Sequence, residues 1–332
     1  MSDSATPLTR PLRIVLPGGS GQVGSMLARY FHERGHQVTV LTRGPYTAPW
    51  LTVHWDGKTL GPWVETLDGA DVCIHLSGRS IDCRLTRRNR RELYDSRIGP
   101  TRLLHRAFAT LNSPPRLWMN ASAATIYRHA LDRGMDEASG EYGGGEPISR
   151  WRRAPKKWDW IVDLVKCWEA EFFAPPMPRT RRIALRTSLV FSPGVGVFAV
   201  LSRLARAGLG GTQGNGRQFV SWIHERDYAR ALEFLIAHEE IAGPVNLAAP
   251  EPLPNREFMR VLREAWDRPN GLPAPALLLA LGMFFTRTET ELVLKSRRVV
   301  PGRLLDAGFY FEFPAWPEAA ADLVRQWRKN SF

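Results

Sequence analysis

Cysteine is scarce in this chain: three residues, Cys73, Cys83 and Cys167, stand far apart among 332, with no CxxC spacing. An odd, scattered set excludes a disulfide framework and a structural zinc site, and it fits a reducing compartment. Lysine is also rare, with six among 45 basic residues. The formal charge of +12 and pI near 10.2 would suit a polyanionic partner. However, an arginine bias beside much alanine and proline fits a GC-rich coding sequence. The clusters Arg84 to Arg97 and Arg150 to Trp160 therefore read first as solvated faces, then as sites for small anions, with nucleic acid last. Long apolar runs are missing. The longest, APALLLALGMFF at 274–285, is too short to span a bilayer, and MSDSATPLTRP lacks the apolar core of a signal peptide. These absences point to a soluble, cytoplasmic chain with no membrane partner. They make the apolar run a buried helix, with a lid or subunit contact, and hence a homodimer, left open.

What is present is a 44% hydrophobic chain, enough for one large α/β unit or two lobes. Leu12 to Leu16 is a buried strand ending at Pro17 and glycines. Val23, Leu27, Tyr30 and Phe31 then recur at helical spacing, Gly35 supplies a stop, and HQVTVLTR is a second strand. Further strands follow at LTVHWD, DVCIHLSG, RLWMNASA, RRIALRTSLVF (Arg181 to Phe191) and GPVNLAAP, with helical segments between them. Seven strands in this alternation predict an α/β fold, a doubly wound parallel Rossmann sheet. Gly99-Pro100 is expected to kink or split the helix that contains it. From about Phe191 a glycine-rich stretch and then a helical tail predict a smaller, mostly helical C-terminal lobe. The expected division is a nucleotide-binding domain at 12–190, rejoined by 223–250, and a substrate-side lobe at 191–222 and 251–330.

Gly18, Gly21 and Gly24 form a GxxGxxG turn, with Gly19, Ser20, Gln22 and Val23 between them, after a strand and before a helix. Glycine lets the backbone approach a pyrophosphate while the helix start offers free N–H groups and its positive dipole end. At the end of the second strand, where an acidic residue would accept from a ribose hydroxyl, stand Thr42 and Arg43. An arginine there pairs with a 2′-phosphate, so NADP(H) is expected, with NAD(H) as the alternative. Asp56 is placed either to accept from an adenine amino group or to form a turn. Leu76, Ser77 and Gly78 let backbone pass close to the cofactor, and His75 reads as a packed core histidine.

With GGSGQVG, HWDG, DSRIGPTRLL, NASAATIYR, CWEAE, LRTSLVFSP, GLGGTQGNGRQFVSWIHERD and GPVNLAAPEPLPNREF in order, nearly the whole chain resembles the extended and atypical short-chain dehydrogenase/reductases. More narrowly, it is similar to the NAD-dependent epimerase/dehydratase-like family that ends in a DUF1731 domain. The resemblance implies hydride transfer on a small molecule. In the wider superfamily a Ser/Thr, a Tyr and a Lys move the proton. Matched through Glu169, the tyrosine and lysine positions fall on Ile161 and Val165, and the Ser/Thr position falls on Ala123. The resemblance therefore implies loss of the usual triad, with Ser122 and Tyr127 as replacement catalytic candidates and Lys166 and His224 behind them. Arg79 stands where the subgroup carries an acidic residue, and Arg128 where it carries glycine. Arg79 and Arg217 are candidates for holding an anionic substrate, and SRWRRAPKKWDW either lines the cleft or covers surface. The expected function is an NADP(H)-dependent oxidoreductase or epimerase-like enzyme, reduction being favoured. The rival is a non-catalytic NADP(H)-binding sensor or scaffold.

Overall fold

The computed structural model describes residues 10–144, 147–149, 152–153, 156–275 and 291–330. The apolar run at 274–285, apart from its first two residues, and Arg150, Trp151, Ala154 and Pro155 of the Trp-rich stretch lie outside them. Seven parallel strands form the central sheet: β1 (Arg13–Pro17), β2 (Gln37–Thr42), β3 (Leu51–His54), β4 (Val72–His75), β5 (Leu117–Ala123), β6 (Arg181–Thr187) and β7 (Gly243–Leu247). Their spatial order is β3-β2-β1-β4-β5-β6-β7. The order reverses beside β1, which opens a crevice at the carboxyl ends of β1 and β4.

Alternation along each strand feeds two cores. Ile14, Leu16, Val38, Val40 and Ile74 face α1 (Gln22–Glu33) and α5 (Glu225–Ala237) through Leu27, Phe31, Leu232 and Leu235. Val15, Leu41, Cys73 and Trp118 face the other way, onto Leu104 and Phe108 of α2 (Arg87–Thr110) and Phe172 of α3 (Lys156–Phe173). A third cluster joins α4 (Gly196–Arg206), α6 (Asn255–Ala265) and α7 (Trp316–Asn330) around Phe198, Phe258 and Trp316, which form the helical C-terminal part. No described helix is long and apolar enough to cross a membrane.

Two expectations need correction. The segment Arg181 to Phe191 is not one strand: β6 ends at Thr187, and Leu189–Phe191 leaves the sheet to pair in parallel with Trp222–His224. At Ser188 both the backbone N–H and the hydroxyl donate to the Leu247 carbonyl (3.0 and 2.7 Å), which ends the ladder with β7. Helix α2 is not divided at Pro100, which lies inside one continuous helix. The Thr101 hydroxyl donates to the Arg97 carbonyl (2.8 Å) and ties together the turn that proline would weaken.

Candidate nucleotide-binding site

A cleft of about 930 Å3 opens at the carboxyl ends of β1 to β4 and is walled by one face of α2. Gly18 enters it at φ +77°, a left-handed conformation that glycine adopts without strain. A Cβ there would fall 2.6 Å from Ser77 Oγ and 2.8 Å from Ser77 Cα, so the turn after β1 and the end of β4 touch through backbone. Gly21 caps α1 with no side-chain bond, leaving the first-turn amides to an incoming anion. The Thr42 hydroxyl donates to Ser20 Oγ (2.9 Å), tying the turn to the end of β2.

Of the expected cofactor residues, Gly18, Ser20, Gly21, Thr42, Arg43, Asp56, Leu76, Ser77 and Gly78 line this cleft. Gly19, Gln22, Val23 and Gly24 do not, because they build the turn. A Cβ on Gly24 would lie 2.5 Å from Gly19 Cα, so these two glycines press the helix onto the loop. Val23 packs against the sheet core, and Gln22 reaches toward Gly196 at the start of α4.

Arg43 is exposed at the mouth, and its side chain makes no hydrogen bond or ion pair among the described residues. Asp56 is engaged locally: Oδ1 accepts from the backbone N–H groups of Lys58 (2.8 Å) and Thr59 (2.9 Å), and Oδ2 from the Thr59 hydroxyl (2.7 Å). These bonds, the Thr59 amide first, hold its pKa down at about 2. The aspartate thus organises the turn that carries Lys58 into the cleft. Lys58 was not singled out from sequence, although its place two residues after the strand-ending Asp56 was visible.

The α2 wall was also missed. Glu92, Asp95, Ser96 and Pro100 recur at helical spacing along one face, a period legible in sequence only once the cleft is known to lie against it. Arg79 lines the cleft as expected, but its guanidinium pairs with Glu92 and donates to Asn89 Oδ1 (3.0 Å). Arg217 sits on a loop and is not among the lining residues; its backbone N–H donates to Asn215 Oδ1 (3.0 Å).

Ser122 and Tyr127 lie outside the cleft, in a buried polar cluster at the ends of β5 and β6. Arg186, 1% exposed, donates from Nε and Nη2 to Glu169 (2.9 and 2.7 Å), from Nη1 to the Tyr127 hydroxyl (2.9 Å) and from Nη2 to the Tyr142 hydroxyl (2.6 Å). Ser122 Oγ donates to Glu169 Oε1 (2.5 Å), and the Tyr127 hydroxyl donates to Asn246 Oδ1 (2.9 Å). Burial opposes the charge on Arg186, yet the facing carboxylate of Glu169 holds its pKa above the ordinary arginine value. Burial pushes the Tyr127 phenol up to about 12.

Ile161 and Val165 are buried apolar residues of α3, and Val165 packs in one cluster with Tyr127. Lys166 Nζ donates to the Gly143 carbonyl (2.5 Å). The guanidinium of Arg128 pairs with Asp132 and Glu141. His224 caps α5, its Nδ1 accepting from the Arg226 N–H (3.1 Å) and its Nε2 lying 3.2 Å from Asp322. His75 is fully buried, with Nδ1 2.6 Å from Asn120 Oδ1.

Against known proteins, the model of the NAD dependent epimerase/dehydratase family matches residues 14–248, more than half of the chain. The chain belongs to the NAD dependent epimerase/dehydratase family. A second family model, the domain of unknown function DUF1731, matches residues 272–323. Among relatives in sequence, epimerase family protein SDR39U1 of Bos taurus is 31% identical over 317 residues, covering 94% of this chain and 100% of that protein. Epimerase family protein ML0860 of Mycobacterium leprae is 32% identical, covering 94% and 95%. Human SDR39U1, crystallised with NADPH, superposes with a TM-score of 0.80 at 28% identity, covering 95% of this chain and 99% of that one. In this family member the glycine turn, the strand order and the open crevice together form the frame of a dinucleotide site.

Proposed function

We propose that this member of the epimerase/dehydratase family binds NADP(H) in the cleft and transfers hydride to or from a small molecule, with reduction as the net reaction. The observation that carries the nucleotide choice is the unpaired Arg43 at the end of β2, where no acidic residue stands to repel a 2′-phosphate. Lys58 adds a second cation to the same cleft. The NADPH bound to the human relative supports the same reading.

The cradle suits the group: the space beside Gly21, where a Cβ would meet nothing nearer than the Gly18 carbonyl at 4.0 Å, stays open to a phosphate, and the uncapped start of α1 presents donors. Gly18, Ser20 and Gly21 would hold the diphosphate, Thr42 and Arg43 the phosphorylated ribose, and Leu76 to Gly78 the backbone wall. When bound, the nicotinamide supplies or accepts the hydride. The chain's own part is to hold and orient it along the cleft wall. Arg79 is the group nearest to hand for an anionic substrate, provided that substrate displaces Glu92. The three cysteines are free thiols, which suits a reducing cytoplasm. Nucleic acid is a poor fit, since Arg88 and Arg91 of the basic stretch pair with Glu92 and Asp95 on the same helix.

One observation favours a second reading, a non-catalytic NADP(H)-responsive protein. Ser122 and Tyr127 are tied into the Arg186 cluster, and, matched through Glu169, the superfamily's Ser-Tyr-Lys positions would fall on Ala123, Ile161 and Val165. Titration of NADPH and NADH against wild type and Arg43→Ala tests the nucleotide reading. Wild type is expected to prefer NADPH, and Arg43→Ala to lose about tenfold to a hundredfold for NADPH alone. Equal wild-type affinities would overturn it. NADPH consumption across a panel of aldehydes and ketones separates enzyme from sensor.

A further inference from the structure

Behind the cleft stands an arginine held without a carboxylate. Arg97 of α2 has no carboxylate paired with it among the described residues: Glu92 is engaged by Arg79 and Arg88, and Asp95 lies 3.5 Å from Arg91. Its donors go to two carbonyls, Nη1 to Leu93 (3.1 Å) and Nη2 to Arg79 (3.0 Å), and its Cζ lies 5.3 Å from the centre of the Trp168 ring. Burial pulls its pKa down to about 10, the mark of a cation held without a counter-ion.

The position of this charge gives it meaning. A Cβ on Gly78 would lie 3.6 Å from Arg97 Cζ and 3.7 Å from Nη2, so the guanidinium stands directly behind the Gly78 backbone that walls the cleft. The preceding residue, Ser77, is the one that abuts Gly18 of the phosphate-binding turn. The cation therefore lies behind the strand end nearest to where a diphosphate would rest. The same face of α2 clamps the next residue: the Arg79 N–H donates to Ser96 Oγ (3.1 Å) while its carbonyl accepts from Arg97.

We propose that Arg97 is a positioning and charge-supplying residue of the nucleotide site: it fixes the Arg79–Ser80 peptide through its carbonyl and sets an unneutralised guanidinium behind the wall that faces the diphosphate. This rests on the reading of the cleft as a dinucleotide site. Arginine suits the task because its planar fork reaches two carbonyls at once, which a single ammonium cannot do in the same geometry. Keeping a partly buried charge unpaired is costly, and the anion that offsets it arrives with the ligand.

The test compares wild type, Arg97→Gln and Arg97→Lys in equilibrium titrations with NADPH, NADH and adenosine 2′-monophosphate, alongside thermal midpoints without ligand. Arg97→Gln is expected to weaken NADPH and NADH by the same factor, about tenfold, and to leave adenosine 2′-monophosphate unchanged because that probe lacks the diphosphate. Arg97→Lys, which keeps the charge but not the fork, is expected to lose about threefold for both dinucleotides. Arg43→Ala gives the opposite pattern, losing NADPH and adenosine 2′-monophosphate while sparing NADH. Unchanged NADPH affinity in a folded Arg97 variant overturns the proposal, as does an equal loss for all three ligands together with a lowered midpoint, which would mark a purely structural role. If Arg97→Gln does not fold, Arg97→Lys decides by the same criteria. Failure of wild type to bind either dinucleotide would instead remove the dinucleotide reading itself.

Discussion

Replacing Glu169 with alanine takes away the carboxylate that faces Arg186 and leaves a guanidinium only 1% exposed to solvent. The loss is worked from the bonds. Two charge-assisted contacts of 2.9 and 2.7 Å disappear, and Ser122 Oγ loses its acceptor at 2.5 Å. The hydroxyls of Tyr127 and Tyr142 stay in place but cannot neutralise the charge. Breaking a buried pair from one side costs about 3–5 kcal/mol, and the stranded serine hydroxyl adds about 1 kcal/mol, so a loss of about 4–6 kcal/mol is expected. Urea unfolding followed by tryptophan fluorescence measures it, with wild type and variant compared at equal slope. A second variant, Glu169→Leu with Arg186→Met, removes both charges and is expected to recover most of the loss, because apolar side chains of similar volume replace a buried pair at little cost. A loss below about 1 kcal/mol for Glu169→Ala would refute the reasoning, since it would mean that water or another group already compensates Arg186.

Three further outcomes are expected. Ser122→Ala and Tyr127→Phe should each cost about 1–2 kcal/mol of stability and leave NADPH affinity unchanged, because both hydroxyls serve the Arg186 cluster and neither lines the cleft; parallel unfolding and binding titrations check this. The pKa of His75 falls from 6.5 to about 4 on folding, because burial disfavours the imidazolium. The unfolded chain thus binds the proton first as pH drops, and up to about 3 kcal/mol of stability is lost between pH 6.5 and 4. An acid limb of the urea midpoint no shallower in His75→Gln would contradict this. Gly24→Ala should lose about 2–3 kcal/mol together with NADPH binding, since its Cβ would sit 2.5 Å from the Gly19 backbone, where no side chain can yield; thermal unfolding and titration report the two losses separately.

Local pattern carried much of the fold. Alternation of apolar strands with helices and the glycine punctuation at Gly18 and Gly35 are short-range signals, and they specified seven parallel strands. Of the two departures, one came from a long-range partner and one from a local bond: the Leu247 carbonyl ends β6 at Ser188, and the Thr101 hydroxyl, four residues from its Arg97 acceptor, closes the helical turn around Pro100. The site divides in the same way. The turn residues and Arg43 were readable because a phosphate cradle is a contiguous motif, whereas Lys58 and the α2 wall are recognisable only from their neighbours.

By itself the sequence determined the doubly wound sheet, the glycine turn on α1 and the cation at the end of β2, because each depends on residues a few places apart. Tertiary structure decided what the remaining polar groups do. Ser122, Glu169, Arg186, Tyr127 and Asn246 meet across separations of 17 to 119 residues, and their meeting turns two apparent proton donors into parts of a buried ion-pair cluster. Arg97 likewise reads as one more surface arginine until the fold sets it behind Gly78. Spacing along a chain reports which side chains share a helix or strand face, but the partner that sets a group's charge and reactivity comes from another element, and only packing brings the two together.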